Sequence, residues 1–163
     1  MKKLFLILAL LFTTTFAFSV ELKFLDIATE SSTFKEVKKT LNTKKIKFKV
    51  DNAEPRNITA EIQEYKGLKL VNVIFYFNLQ DKFTGFELRI AADDASELVD
   101  KIGNELIKEY EISPEMNQPN KVSKYAIYSV WSYSEDMKYH FAFGFNIPVE
   151  KKELFIKVSK TNY

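Results

Sequence analysis

Alternation between polar and apolar residues recurs through most of this chain and restricts its fold more than any other feature. Residues 45–50 alternate between charged and apolar side chains without a break. Residues 70–79 are the most apolar stretch after the amino terminus, and they also divide into two alternating rows. A two-residue period places successive side chains on opposite faces of a β-strand. We therefore predict a half-buried strand over residues 45–50 and a central strand over residues 70–79.

The predicted strands follow one another through short connections. Lys66-Gly67 predicts a hairpin turn, and residues 80–82 predict a second one. Strands that are joined by short turns pair antiparallel. The full set of predicted strands comprises residues 20–27, 45–50, 58–62, 70–79, 86–90, 125–133, 137–147 and 154–158.

Two further segments have the 3.6-residue period of amphipathic helices. The first begins with Thr33 and Glu36, which have the spacing of a capping box. The second begins near Asp94 and Glu97, with acidic residues in its first turn. The predicted buried residues are Phe34, Val37 and Leu41 in the first helix and Leu98, Val99, Ile102, Leu106 and Tyr110 in the second.

These elements predict a single α+β domain in the order β-α-β4-α-β3. Its sheet would be mainly antiparallel, with about six to eight strands, and the two helices would cover one face. Residues 113–123 contain Pro114, Pro119 and several polar residues. We predict that this segment is an exposed linker, too short to divide the chain into two domains.

The amino terminus has the layout of a secretory signal peptide. Lys2 and Lys3 precede nine apolar residues, 4–12, and a stretch of small and mildly polar residues ends at Ser19. A retained membrane anchor is the alternative, but a spanning helix needs about 20 apolar residues. We expect cleavage after Ser19, or else after Ala17. Residues 20–163 would then form a periplasmic or secreted bacterial domain with no stable membrane anchor.

The charge balance of the expected mature chain argues against several partners. Removal of Lys2 and Lys3 from the 24 basic residues leaves 22, which equals the 22 acidic residues. Arg56 and Arg89 are the only arginines. A neutral chain with few arginines is expected to bind nucleic acid poorly. The sequence contains no cysteine, which excludes disulfides, thiol catalysis and thiolate metal sites.

Catalytic signatures are missing from the sequence. His140 is the only histidine, and no serine or carboxylate stands at a recognisable spacing from it. Asp93, Asp94, Glu97 and Asp100 form an acidic cluster, but acidic residues in the first turn of a helix are explained by capping. No phosphate-binding glycine loop or nucleophile elbow occurs. We therefore lean towards a noncatalytic protein without a metal or cofactor.

Two groups of residues are candidates for binding. Tyr76 and Tyr128 are predicted on strand faces opposite the main apolar rows, where tyrosine rings could contact a partner or belong to a second core. Lys45, Lys47 and Lys49 form an alternating row. Lysines of this kind protect an edge strand from aggregation, or they form a basic strip for an acidic partner.

The leading functional hypothesis is an exported, noncatalytic binding protein for an envelope protein or glycan. A small hydrolase built on carboxylates that the fold gathers in space is one alternative. A carrier that holds a small apolar ligand between sheet and helices is the other. The sequence alone favours the first because export combines with an absence of catalytic motifs.

Overall fold

An eight-stranded antiparallel sheet organises the protein. The computed structural model describes residues 20–91, 97–122, 127–134, 138–146 and 153–161. The strands are β1 Lys23–Phe24, β2 Ala28–Thr29, β3 Phe48–Asp51, β4 Asn57–Ala60, β5 Glu64–Tyr65, β6 Leu68–Lys69, β7 Asn72–Phe77, β8 Phe83–Ala91, β9 Ile112–Val122, β10 Ile127–Ser134, β11 Tyr139–Asn146 and β12 Glu153–Lys160. The helices are α1 Phe34–Thr43 and α2 Glu97–Glu109.

The strand order divides the large sheet into two similar halves. Its order is β3-β4-β7-β8-β12-β11-β10-β9, and every neighbouring pair is antiparallel. In each half a helix precedes four strands that run from an edge to the centre. The last strands of the two halves, β8 and β12, pair with each other there. Two small hairpins, β1–β2 and β5–β6, lie outside the large sheet.

Helix α1 forms because its first turn is fully capped. The Thr33 side chain accepts a hydrogen bond from the Glu36 backbone N–H, and the Glu36 carboxylate accepts one from the Thr33 N–H. This is the predicted capping box, and it satisfies two donors that a helix start otherwise leaves free. Phe34, Val37 and Leu41 are buried on one side, as predicted.

Both helices pack on the same face of the sheet, which we call the core face. The Phe34 ring of α1 contacts Phe77 of β7 edge-to-face, with ring centres 5.2 Å apart. In α2, Gly103 lies close to Phe141 of β11. The buried residues of both helices belong to one cluster with the alternating apolar rows of β4, β7, β8 and β12. A single apolar core therefore holds the two halves of the fold together.

The amino-terminal segment is fixed to this core. Leu22 and Phe24 are fully buried. The Tyr139 hydroxyl donates to the Val20 carbonyl over 2.6 Å, and the Tyr110 hydroxyl donates to the Lys23 carbonyl over 3.1 Å. The structure thus ties the residues after the predicted cleavage site to β11 and to the end of α2.

Several sequence predictions are confirmed at this level. The protein is an α+β structure with a mainly antiparallel sheet and two amphipathic helices. The hairpin at Lys66-Gly67 is present, and both residues have the positive φ that such a two-residue turn requires. The predicted signal peptide lies outside the described residues, as do Asp93 and Asp94. Among the described helices, none is long and apolar enough to cross a membrane.

Two predictions are wrong. The element order is ββ-α-β6-α-β4, because the first predicted strand is a short hairpin and a second hairpin is inserted between β4 and β7. The predicted linker at residues 113–123 is instead occupied by β9, Ile112–Val122. This strand is an edge strand that pairs with β10 alone. An edge position tolerates Pro114 and Pro119 because only one side of the strand needs its hydrogen-bond donors.

The pairing of β8 with β12 depends on a glycine. Gly85 is in register with Ser159, and a side chain at position 85 would place its Cβ 2.3 Å from the Ser159 Cβ. The same Cβ would lie 2.7 Å from the Val158 carbonyl oxygen. Backbone atoms cannot move away without separating the two strands. A residue without a side chain is therefore required at this point in the sheet centre.

We predict that Gly85→Ala lowers the free energy of unfolding by about 3 kcal/mol, because the added methyl group forces β8 and β12 apart. Urea denaturation of the purified protein measures this change. Gly103→Ala is the matched control, since its Cβ would have only a 3.9 Å contact with Phe141. Alanine at this helical position should be neutral or stabilise by up to about 1 kcal/mol. Equal effects of the two substitutions would contradict the prediction.

Candidate functional site

The second face of the sheet carries charged and polar residues near its centre, and we call it the polar face. One row of register partners crosses it from Lys49 on β3 through Thr59 and Ile74 to Glu87 and Lys157. A neighbouring row runs from Asn57 through Tyr76, Gly85 and Ser159 to His140. These rows connect three separate features: a buried ionic cluster, a serine–histidine pair and a basic groove at the β3 edge.

The ionic cluster lies on the central strands. The Tyr76 hydroxyl donates to Glu87 over 2.7 Å, and Glu87 also forms an ion pair with Arg89. Arg89 lies 3.6 Å from the carboxylate of Glu153. The Lys157 ammonium group lies 4.1 Å from the centre of the Tyr76 ring. Glu87 is 4 % exposed, so these contacts replace the water that its carboxylate would otherwise bind.

Burial dominates the electrostatics of this cluster. Desolvation raises the pKa of Tyr76, and the negative charge of Glu87 raises it further. Desolvation lowers the pKa of Lys157, although the attraction of Glu87 acts in the opposite direction. Each carboxylate has a cation beside it, which is the arrangement that makes buried charge tolerable. The cluster is explained as a structural network, and it leaves neither carboxylate free for acid–base chemistry.

His140 forms a hydrogen bond with Ser159 across β11 and β12. The Ser159 Oγ and the His140 Nε2 are 2.8 Å apart. Burial lowers the pKa of His140 to about 4, and the positive charge of Lys157 contributes. Its register with Ser159 places His140 on the polar face, away from the core. The neighbouring strands half-bury the ring.

This pair has the distance of a nucleophile and its base, but access argues against that role. Ser159 is 5 % exposed and stands opposite Gly85, where the two backbones approach closely. So little exposed surface leaves a substrate carbonyl little room to reach the Ser159 hydroxyl. The hydrogen bond instead satisfies a buried hydroxyl, which is the usual requirement for polar groups in a sheet interior.

The strand register assigns the two candidate tyrosines to different faces of the sheet. Tyr76 is on the polar face, and its hydroxyl and ring are already engaged by Glu87 and Lys157. Tyr128 is in register with Phe145, which pairs with the buried Leu154 of β12. That row belongs to the core face. The structure therefore does not bring Tyr76 and Tyr128 together into one surface.

The three candidate lysines do come together. Lys45, Lys47 and Lys49 are all exposed, and all three line one open groove of about 590 Å³. Strand β3, at the edge of the sheet, forms part of this groove and pairs with β4 alone. Among the described residues, no carboxylate lies within ion-pair distance of these three ammonium groups. The groove therefore has three ammonium groups along one wall and the carboxylate of Glu61 in its lining, with none of these charges joined in an ion pair among the described residues.

The positions of these lysines follow from how α1 ends. The helix closes with backbone hydrogen bonds from Lys45 N–H to Asn42 and from Ile46 N–H to Leu41, and Lys45 has a positive φ of 56°. The chain then runs directly into β3, and the Lys47 carbonyl accepts from the Glu61 N–H over 2.8 Å. The tight helix end and the edge strand thus set the three lysines along one rim.

A second pocket adjoins the basic groove on the polar face. It has a volume of about 330 Å³ and shares Phe48, Lys49 and Glu61 with the groove. Its remaining lining includes Thr59, Gln63, Val71 and Asn72. The Asn72 side-chain oxygen is buried and accepts no hydrogen bond from the described part of the chain. The hydroxyl of Thr59 and the amide of Gln63 give the pocket donors and acceptors, and Glu61 places a carboxylate there beside Lys49.

Comparisons with known proteins add no assignment to this geometry. The chain matches no family model, no curated protein and no solved structure. Within the described ranges, no group of three or more histidine or acidic side chains is placed to hold a metal ion.

Sequence reasoning missed Glu61, Gln63 and Asn72. Alternation placed Asn72 on its face, but only the sheet register brings it beside Lys49 and Glu61.

We predict that acidification destabilises the protein through His140. Because its folded pKa lies below the unfolded value of 6.5, the unfolded state binds the extra proton first. Between pH 7 and pH 5, the free energy of unfolding of the native protein should fall by about 1–2 kcal/mol more than that of the His140→Gln variant. Urea unfolding at both pH values measures the difference. Parallel losses in the two proteins would show that His140 does not contribute.

We also predict that Tyr76 and Glu87 are energetically coupled. Tyr76→Phe leaves a buried carboxylate without its hydroxyl donor, so it should cost about 1–3 kcal/mol of unfolding free energy. In a double-mutant cycle with Glu87→Gln, the double variant should lose less unfolding free energy than the sum of the two single losses, by about 1 kcal/mol or more. Strict additivity would mean that the hydrogen bond contributes nothing to stability.

Proposed function

We propose that the mature chain, residues 20–163, is a noncatalytic exported protein that binds an acidic ligand in the basic groove. The observation that supports this most is the placement of Lys45, Lys47 and Lys49 on one rim of an open groove that holds a single carboxylate, Glu61, and no ion pair to these lysines among the described residues. An anion in the groove would gain charge-assisted hydrogen bonds that water alone does not provide.

Two further observations favour the groove over the other candidate surfaces. Tyr76 is occupied by contacts within the sheet, and the buried ionic cluster is internally paired. Both arginines are also engaged in the fold, since Arg56 pairs with Asp81 and Arg89 with Glu87. The lysine rim therefore offers positive charge that no described ion pair uses.

Protection of an edge strand explains exposed lysines equally well when they stand on a flat surface. The lysine groove is itself shallow, but the pocket that adjoins it is a feature that edge protection does not require. An apolar carrier is disfavoured because neither cavity is enclosed and most of the residues that line them have charged or polar side chains. A hydrolase has weaker support, since the carboxylates Glu87 and Glu153 both face Arg89.

Export follows from the signal-peptide pattern and is part of the proposal. Lys2, Lys3 and the apolar residues 4–12 would direct the chain out of the cytoplasm, with cleavage after Ser19 or Ala17. The ligand would then be an acidic component of the cell envelope or its surroundings.

We predict that replacing the three groove lysines with glutamine weakens the binding of acidic polymers at least about tenfold. The probes are fluorescent poly-glutamate and fluorescent polygalacturonate, and the measurement is fluorescence anisotropy at low salt. Added salt should weaken binding to the native protein as well.

The matched control replaces Lys35, Lys101 and Lys108, three exposed helical lysines, with glutamine. Both triple variants lose the same charge, so a general electrostatic attraction would affect them equally. Equal affinities of the two variants, or no binding of either probe to the native protein, would refute the groove as an acidic-ligand site.

A further inference from the structure

We infer that the acidic ligand is an extended peptide that adds to the sheet as a further strand beside β3, with acidic and apolar residues in alternation. This inference rests on the proposed function of the basic groove and specifies its ligand. Strand β3 is an edge of the large sheet, and β4 is its one neighbour among the described strands. The groove follows this edge, because residues 45–49 line it. Partner strands add to unpaired edges of this kind.

The backbone groups that β3 leaves free follow from its pairing with β4. The Lys47 carbonyl accepts a hydrogen bond from the Glu61 N–H over 2.8 Å, and the register makes Lys49 the next hydrogen-bonded position. In an antiparallel pair, such positions alternate with residues whose N–H and C=O groups point away from the neighbouring strand. Phe48 and Val50 are those residues. Their backbone groups therefore face the open side, where the described chain supplies no strand.

The core-face row of this edge is incompletely covered. Ile46, Phe48 and Val50 pack against the core but are only half-buried. Phe48 is in register with the fully buried Ala60, which places the row on the core face. Apolar side chains on an added strand would extend the core over these three residues. The apolar surface removed from water would then contribute to binding.

The polar-face row selects an acidic strand. Acidic residues at every second position of the added strand would stand beside Lys47 and Lys49, and opposite charges on neighbouring strands stabilise a sheet. Lys45 extends the positive charge along the same groove. The two acidic residues of this edge, Asp51 and Glu61, form no described ion pair with these lysines. Pairing with β3 of a second copy would bring three more lysines to the same face, which like-charge repulsion disfavours.

Isothermal titration calorimetry of the native protein tests the pattern of side chains. The alternating peptide is acetyl-Ser-Glu-Val-Glu-Val-Glu-Ser-amide, and the scrambled peptide has the same composition with its glutamates consecutive. We expect the alternating peptide to bind at least about tenfold more tightly than the scrambled one. The glutamine variant of Lys45, Lys47 and Lys49 should bind the alternating peptide at least about tenfold more weakly than the native protein does. The control variant with the three helical lysines replaced should bind it as the native protein does.

Two N-methylated forms of the alternating peptide test the backbone pairing without any change in charge. Methylation of the valine amides removes the donors that an antiparallel strand would use opposite Phe48 and Val50. Methylation of the glutamate amides removes the donors of a parallel strand. One of the two forms should lose at least about tenfold in affinity. Undiminished binding of both forms would overturn strand addition and leave the groove as an acidic-ligand site.

Amide hydrogen exchange locates the added strand on the native protein. With saturating alternating peptide, exchange at Phe48 and Val50 should slow at least about tenfold more than at Lys49 and Asp51, whose amides face β4. Equal slowing of the two pairs of amides, or slowing centred on β9, would overturn β3 as the site. Binding of neither the alternating peptide nor poly-glutamate would refute the basic groove itself.

Discussion

The pairing of β8 with β12 is the contact on which the rest of the structure depends. Each half of the fold is a helix followed by four strands, and each half ends at the sheet centre. Leu88 and Ile156 are partners across this seam and are fully buried on the core face. Gly85 permits the close approach on the other face. Without the seam, each half would expose a long apolar edge, so the two halves are stable only together.

The seam also explains why charge is buried on the polar face. Glu87 on β8 and Lys157 on β12 are register partners, and Arg89 reaches Glu153 across the same pair of strands. Replacing such groups with apolar residues often costs nothing in stability, so their presence calls for a separate reason. Here the opposite charges on the two strands would favour one register of β8 against β12, since a one-residue slip would break every pair.

Local features of the sequence were enough to predict much of the fold but not its long-range pairing. The capping box at Thr33 and the hairpin at Lys66-Gly67 depend on neighbouring residues, and both are present. The edge strand β9 was missed because its prolines resemble a linker unless the position at the sheet edge is known. The pairing of β8 with β12 joins residues far apart in the chain, and no local pattern encodes it.

The candidate site also combines a local sequence pattern with contacts that only long-range pairing creates. The alternating lysines are visible in the sequence, whereas their companions Glu61, Gln63 and Asn72 come from two other segments. Tyr76 and Tyr128 looked equivalent by alternation, yet the register assigns them to rows of different faces. A strand pattern identifies which residues share a side of one strand. It does not identify whether that side of the strand lies on the core face or on the polar face of the sheet.

The central claim is that the basic groove at the β3 edge binds an acidic ligand, and mapping that contact residue by residue tests it most directly. Nuclear magnetic resonance of the ¹⁵N-labelled domain, titrated with poly-glutamate, reports every backbone amide at once. The account predicts that shift changes concentrate in residues 45–49 and at Asn42 and Glu61, which line the groove. Shift changes centred on α2 or on β9, or none at saturating ligand, would contradict it.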